Sequence, residues 1–246
     1  AVYSKALSAT EISVHYNAGK SKFTDWVDGK FGKALSFDGI DDYVNVLDSA
    51  SLDITDEITI AAWIKPQGES PSWAKIVLKP GESGPYLYTL SLDNGLAGNE
   101  RIGSGTGIDG TYGGSGPSTS TLSLNQWYHA VATFDHGVSS IYVNGVLESS
   151  SIDPFSSLGT STKNLQIGAQ IEYAQVFNGI IDEVRIYNRA LSIQEIRAIA
   201  GRGAIQTKTV TLSSGNSATS TFTWDTTGVA KGNYTITAEA TILPGE

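Results

Sequence analysis

Two runs of strict two-residue alternation constrain this chain more than anything else in it. Ile58, Ile60, Ala62 and Ile64 alternate with Thr59, Ala61 and Trp63, and Tyr128, Ala130, Ala132 and Phe134 alternate with His129, Val131 and Thr133. A period of two is the signature of a strand, whose successive side chains point to opposite faces. Around these runs, residues 31–190 read as short strands separated by turn chemistry. Residues 34–37 and 43–46 flank the turn Asp38-Gly39-Ile40-Asp41, as an opening hairpin. Asp135-His136-Gly137 joins two strands, and Asn144-Gly145 is a strong two-residue hairpin signal. Strands this short and this regularly interrupted predict an all-β, two-sheet antiparallel sandwich. One short helix is expected over residues 192–200. Ser192 and Glu195 are spaced as a capping box, and Gly201 supplies the stop.

Three segments depart from that pattern. Residues 93–121 hold nine glycines with only scattered hydrophobics, which predicts an excursion over the surface. The run Ile186-Tyr187-Asn188-Arg189-Ala190-Leu191-Ser192 continues to Ile196 and recurs in worn form from Val2 to Ile12, an offset of 184 residues. That distance fits a whole domain rather than a solenoid unit. Residues 1–19 are therefore expected to be the remnant of a preceding repeat, with the main domain over 20–203 and Arg202-Gly203 as a linker. Residues 204–246 carry three Thr-rich β runs, too few to close a sandwich unaided.

The charge balance removes whole classes of partner. A net charge of −9 and a pI near 4.8 repel nucleic acid and anionic lipid at long range. No apolar run approaches the roughly 20 residues of a membrane-spanning helix. The absence of cysteine excludes disulfides, thiolate metal sites and cysteine nucleophiles.

Asp182 is the sharpest single-residue signal. Simple alternation sets it with Ile180, Val184 and Ile186 on the face that looks like core, where a carboxylate needs a cation, a charged partner or several hydrogen bonds. Asp38, Asp41 and Asp42 cluster at the opening turn, and with turn carbonyls they offer the oxygens that calcium takes. Asp38, Asp41 and Asp182 are the expected ligands. The competing reading has Asp38 and Asp41 in local turn bonds and Asp182 on an arginine or a backbone amide. For stacking on sugar faces, the aromatics least explained by strand periodicity are Trp73, Tyr86 and Tyr112, the last close to Arg101 and Asp109. Trp63 and Trp127 fit core positions, Trp26 is left open, and His129 reads as a packed structural histidine. His136 shows no metal-binding spacing. The paired carboxylates of a strand E-x-D-x-x-E, which would set nucleophile and acid on one face, do not occur.

The segment Leu35-Ser36-Phe37-Asp38-Gly39-Ile40-Asp41-Asp42-Tyr43-Val44 resembles the opening of the laminin-G-like, concanavalin A-like jelly rolls. Ile60-Ala61-Ala62-Trp63-Ile64, Trp127-Tyr128-His129-Ala130-Val131, Ile141-Tyr142-Val143-Asn144-Gly145 and the stretch Ile181 to Ser192 follow in the family's order. The resemblance covers about residues 20–200. It implies a jelly roll, a non-catalytic module of a secreted or surface protein, binding to glycans or proteins, and a structural calcium. Residues 207–246 resemble the last strands of immunoglobulin-like adhesion modules of prokaryotic surface proteins. The favoured expectation is a carbohydrate-binding, lectin-like module of an extracellular multidomain protein. The alternative is an assembly unit of a surface array, self-associating through residues 205–246 by strand addition. A polysaccharide-degrading enzyme is the lesser alternative.

Overall fold

A computed structural model describes residues 25–94 and 100–201. The remnant expected at residues 1–19, the linker Arg202-Gly203, and the immunoglobulin-like segment with its proposed self-association lie outside the described residues.

Two antiparallel sheets make the body of the domain. The larger contains β1 (Asp25–Asp28), β2 (Lys33–Asp38), β4 (Glu57–Pro66), β9 (Tyr128–Asp135), β10 (Val138–Val143), β11 (Val146–Ile152) and β15 (Asn178–Tyr187), in the order β1-β2-β15-β4-β9-β10-β11. The smaller contains β3 (Val44–Val46), β5 (Lys75–Lys79), β6 (Tyr88–Asn94), β7 (Glu100–Ile108), β8 (Thr111–Gly113) and β12 (Leu165–Ile167), in the order β3-β12-β5-β6-β7-β8. A two-stranded ribbon, β13 (Ala169–Gln170) with β14 (Gln175–Val176), completes the strands. The alternation expected in β4 and β9 is borne out. Ile58, Ile60, Ala62 and Ile64 meet Ala130, Ala132 and Phe134 in the core between the sheets, together with Tyr88, Leu90, Leu92 and Ile102 from the smaller sheet.

Turn chemistry sets the connections. His136-Gly137 and Asn144-Gly145 all have positive φ and close β9–β10 and β10–β11 as two-residue hairpins. α1 (Ile193–Ile199) starts at the expected capping box, Ser192 Oγ accepting from the Glu195 amide, and stops before Gly201 at φ +66°. Ile196 of the helix and Leu191 just before it pack on Ala61 and Val131, on the outer face of the larger sheet.

Three expectations change. The turn at residues 38–41 is a sheet switch rather than a hairpin, since β2 joins the larger sheet and β3 the smaller. Within the segment expected to be a surface excursion, Glu100–Ile108 is instead the mostly buried strand β7, and Thr111–Gly113 is β8. Asp182 is not on the core face. Between Asp182 and Arg185 strand β15 spends three residues against two on β4, and Glu183 takes φ +49°. The bulge reverses the alternation, so Ile181 and Val184 both face the core and Asp182 faces outward beside Trp63.

Candidate functional site

The outer face of β7 is nearly bare of side chains. Arg101, Gly103, Gly105 and Gly107 share it, while Ile102 on the opposite face joins the core. Glycine within a strand marks a close approach by something else, and here that is a row of aromatic rings. A Cβ at Gly103 would meet Trp73 at 3.3 Å, one at Gly105 would meet the Tyr86 ring at 2.7 Å, and one at Gly107 would meet Tyr112 at 3.2 Å. From Arg101 to Gly107 the row runs about 20 Å. The structure thus brings together Trp73, Tyr86, Arg101 and Tyr112, residues far apart in the sequence.

Each ring is held by its own local structure. Trp73 occupies the third position of a tight turn closed by the Ala74 amide donating to the Pro71 carbonyl at 3.0 Å. Its φ is +64°, a conformation that turns usually reserve for glycine. Strain of this kind costs on the order of 1–3 kcal/mol and collects at functional sites. Trp73 remains 43% exposed. Tyr86 follows Pro85, whose carbonyl accepts from Gln170 Nε2 at 3.1 Å. The Tyr86 and Tyr112 rings stand 5.1 Å apart at 60°. They border a shallow cleft of about 280 Å³, open solvent included, between residues 81–87 and 108–112. Burial, then Tyr112 and Asp153, pushes the Tyr86 phenol up.

Beneath the rings lie the charged groups. Arg101 faces Asp93 across the ladder at 3.8 Å, and its Nε is buried without a hydrogen-bond partner. Lys75, on β5 opposite Ser91, is only 3% exposed. Burial pushes its ammonium down to about 8. Behind the hairpin β7–β8, buried Asp153 accepts from Thr106 Oγ1 at 2.6 Å, Ser139 Oγ at 2.7 Å and the Gly114 amide at 2.8 Å. Sequence reasoning missed Lys75, Gln170 and Asp153, because each draws its role from segments remote in the chain. The glycine spacing 103, 105, 107 was the available signal for the platform.

The acidic residues divide into separate places. Asp38, Asp41 and Asp42 present carboxylate oxygens within 4.8 Å of one another. Asp38 Oδ1 accepts from the Ile40 amide at 2.8 Å, and Asp42 Oδ2 from the Asp38 amide at 2.9 Å. Asp182 is not in this group. Asp38 pairs with Asn178, four residues and about 13 Å along the strand from Asp182. The Asp182 oxygens accept from the Phe31 amide at 2.9 Å and the Glu183 amide at 2.8 Å, the backbone-amide alternative. A second group that spacing did not reveal forms where Glu57 meets Asp135 and His136.

His129 is 3% exposed and tilted against Trp63 at 5.2 Å, as expected of a packed histidine. Burial, helped by Arg185, pushes it down to about 4. Trp63 is buried, but on the outer face of its sheet, with Lys30 Nζ 4.5 Å from its ring centroid. Trp127 is half-buried and Trp26 exposed.

Residues 38–197 match the profile of a family described as the concanavalin A-like lectin/glucanases superfamily. No curated protein matches significantly. Among solved structures, domain 4 of AbnA, a GH43 extracellular arabinanase from Geobacillus stearothermophilus, in complex with arabinotriose, is 24% identical with a TM-score of 0.56. The match covers 71% of this chain and 80% of that one. The binding domain of Paraclostridial Mosquitocidal Protein 1 is 18% identical with a TM-score of 0.60, covering 73% of this chain and 46% of that one. The Botulinum neurotoxin serotype G binding domain is 16% identical with a TM-score of 0.53, covering 74% and 45%. At these identities the likeness is one of fold.

Proposed function

The chain belongs to the concanavalin A-like lectin/glucanases superfamily, and from that premise we propose that its described domain is a non-catalytic carbohydrate-binding module of a larger extracellular or cell-surface protein. The observation that carries the reading is the glycine row of β7 roofed by Trp73, Tyr86 and Tyr112. Aromatic faces stack on the apolar faces of sugar rings, and a shallow open cleft suits a chain laid along a surface rather than a small molecule enclosed in a cavity. The arabinotriose bound to AbnA domain 4 supports a glycan ligand for a module of this fold. The superfamily also includes enzymes, so the non-catalytic reading rests on the site. Along the row the charged groups are the cations Lys75 and Arg101 with Asp93; of the two carboxylates that line the adjoining cleft, Glu82 and Asp109, Glu82 is already held by Thr162.

Affinity electrophoresis in gels carrying arabinan and other polysaccharides tests the proposal. Retardation by at least one polysaccharide is expected, with Trp73→Ala and Tyr112→Ala each weakening it tenfold or more. Trp73→Gly should lose binding equally while unfolding no lower than Trp73→Ala, because glycine fits φ +64° without strain. Unchanged retardation in all three variants would remove the glycan from this face.

We further propose that calcium binds at Asp38 and Asp41, joined by Asp42. Carboxylates and water supply only oxygen, the donor a hard cation takes, and the site lies where the chain passes from one sheet to the other. Asp182, satisfied by two amides, has a structural role in this reading. Calcium should raise the unfolding midpoint in wild type and in Asp182→Asn, and leave Asp38→Asn/Asp41→Asn unmoved. An equal rise in the double variant places the metal elsewhere, and no rise in wild type refutes it.

A further inference from the structure

Lys75 is the unresolved charge of this face. Its side chain rises from β5 at the level of Ser91 and Gly103, so it shares the outer face with the glycine row. Among the described residues no carboxylate forms an ion pair with it. Its ammonium approaches the Tyr86 ring, whose centroid lies 5.6 Å from Nζ. A buried cation without a counter-ion is costly, and such groups are normally paired. The other buried lysine of the same strand shows the normal case: Lys79 Nζ pairs with Asp48 and donates to the Lys163 carbonyl at 2.7 Å.

The neighbours do not supply the missing charge. Asp93 on β6 is turned to Arg101 on β7. From the loop above come Tyr86, whose phenol burial keeps neutral, and Glu82, whose carboxylate accepts from Thr162 N and Oγ1, both at 2.7 Å. Both cations of the face, Lys75 and Arg101, lie along the row of rings, and Arg101 retains a buried Nε–H without an acceptor.

We infer that this face binds an acidic glycan, with Lys75 receiving a carboxylate of a uronic-acid unit stacked between Trp73 and Tyr86. The inference rests on the carbohydrate-binding reading above and names its substrate class. A carboxylate brought to Lys75 completes an ion pair at a largely buried ammonium that keeps a small contact with solvent, where charge-assisted hydrogen bonds are stronger than in open water. The net charge of −9 does not forbid this, because at physiological salt the Debye length is about 8 Å and the protein's remote carboxylates are screened from a ligand touching Lys75. The lowered ammonium pKa supports the same assignment, since a bound anion would restore the proton that burial tends to remove.

The probes are polygalacturonate, the same polymer fully methyl-esterified, dextran sulfate and neutral arabinan, titrated against wild type, Lys75→Met, Lys75→Arg and Trp73→Ala. Wild type is expected to bind polygalacturonate at least tenfold tighter than its methyl ester. Lys75→Met should bring that ratio to about one, Lys75→Arg should keep part of the ratio, and Trp73→Ala should weaken both polymers. Preference for dextran sulfate lost in Lys75→Met, without preference for polygalacturonate, would replace carboxylate by sulfate and overturn the uronic-acid assignment. A wild type that binds ester or arabinan as tightly as polygalacturonate, yet depends on Trp73, overturns the acidic ligand and leaves the glycan reading standing. The same preference persisting in Lys75→Met means that the polyanion binds elsewhere, and overturns the inference. Binding of none of the polymers overturns both.

Discussion

Asp153→Ala is expected to lower the unfolding midpoint by roughly 6–12 °C, the fall that about 3 kcal/mol produces in a domain of this size. The aspartate is 7% exposed and accepts three hydrogen bonds from three segments: Thr106 on β7, Ser139 on β10 and the Gly114 amide just after β8. Thr106 and Ser139 belong to different sheets, so one carboxylate fastens the sandwich together at this end. Removing it strands three donors, each costing about 1–3 kcal/mol if buried unsatisfied, less whatever the two hydroxyls recover by rotating. Asp153→Asn keeps one acceptor oxygen and should lose about half as much. Glycan affinity should fall with stability, because the Gly114 amide fixes the end of β8 and β8 carries Tyr112. Thermal unfolding of both variants, with titration well below their midpoints, separates the two effects. An alanine variant as stable as wild type would show that these hydrogen bonds contribute nothing net.

The contrast between Asp153 and Asp182 shows what was legible beforehand. The periodic strands β4 and β9, both glycine-containing hairpins and the capping box of α1 depend on neighbours a few residues away, and local reading recovers them. Asp182 was assigned to the wrong face because one extra residue in β15 inverts every later position, and a bulge leaves no trace in the hydrophobic period. Trp73, Tyr86 and Tyr112 stood out because the core had no use for them. The surface that supports them did not, since glycine at alternate positions of β7 has the composition of a loop. Only the topology shows that the missing side chains are replaced by rings from elsewhere. Lys75 was the least legible of all. Its burial comes from its place on the outer face, its lack of an ion pair among the described residues from how Asp93 and Asp48 are spent, and nothing in the run Lys75-Ile76-Val77-Leu78-Lys79 distinguishes its two lysines.

Lys75 should therefore reduce the stability of the unliganded protein, and pH should expose it. Burial lowers its pKa from 10.5 in the unfolded chain to about 8 in the fold. Between those values the unfolded state holds a proton that the native state has shed, so the lysine's contribution to stability improves as pH rises from about 8 to 10.5. Below pH 8 both states are protonated and the full penalty is present, on the order of 3 kcal/mol from the size of the shift. Lys75→Met keeps the buried stem and discards the charge, so at pH 7 it should stabilise the protein by about 1–3 kcal/mol, or several degrees in the midpoint. The advantage should shrink toward nothing by pH 10.5. Comparing the variant with wild type across that range cancels the titration of the tyrosines and of every other group they share. A methionine variant less stable at pH 7, or an advantage that does not change with pH, would mean that the fold already satisfies the ammonium. The expected result has a functional consequence. Where removing a residue strengthens the empty fold and weakens its grip on polygalacturonate, that residue is kept for a ligand, and the ligand must carry the opposite charge.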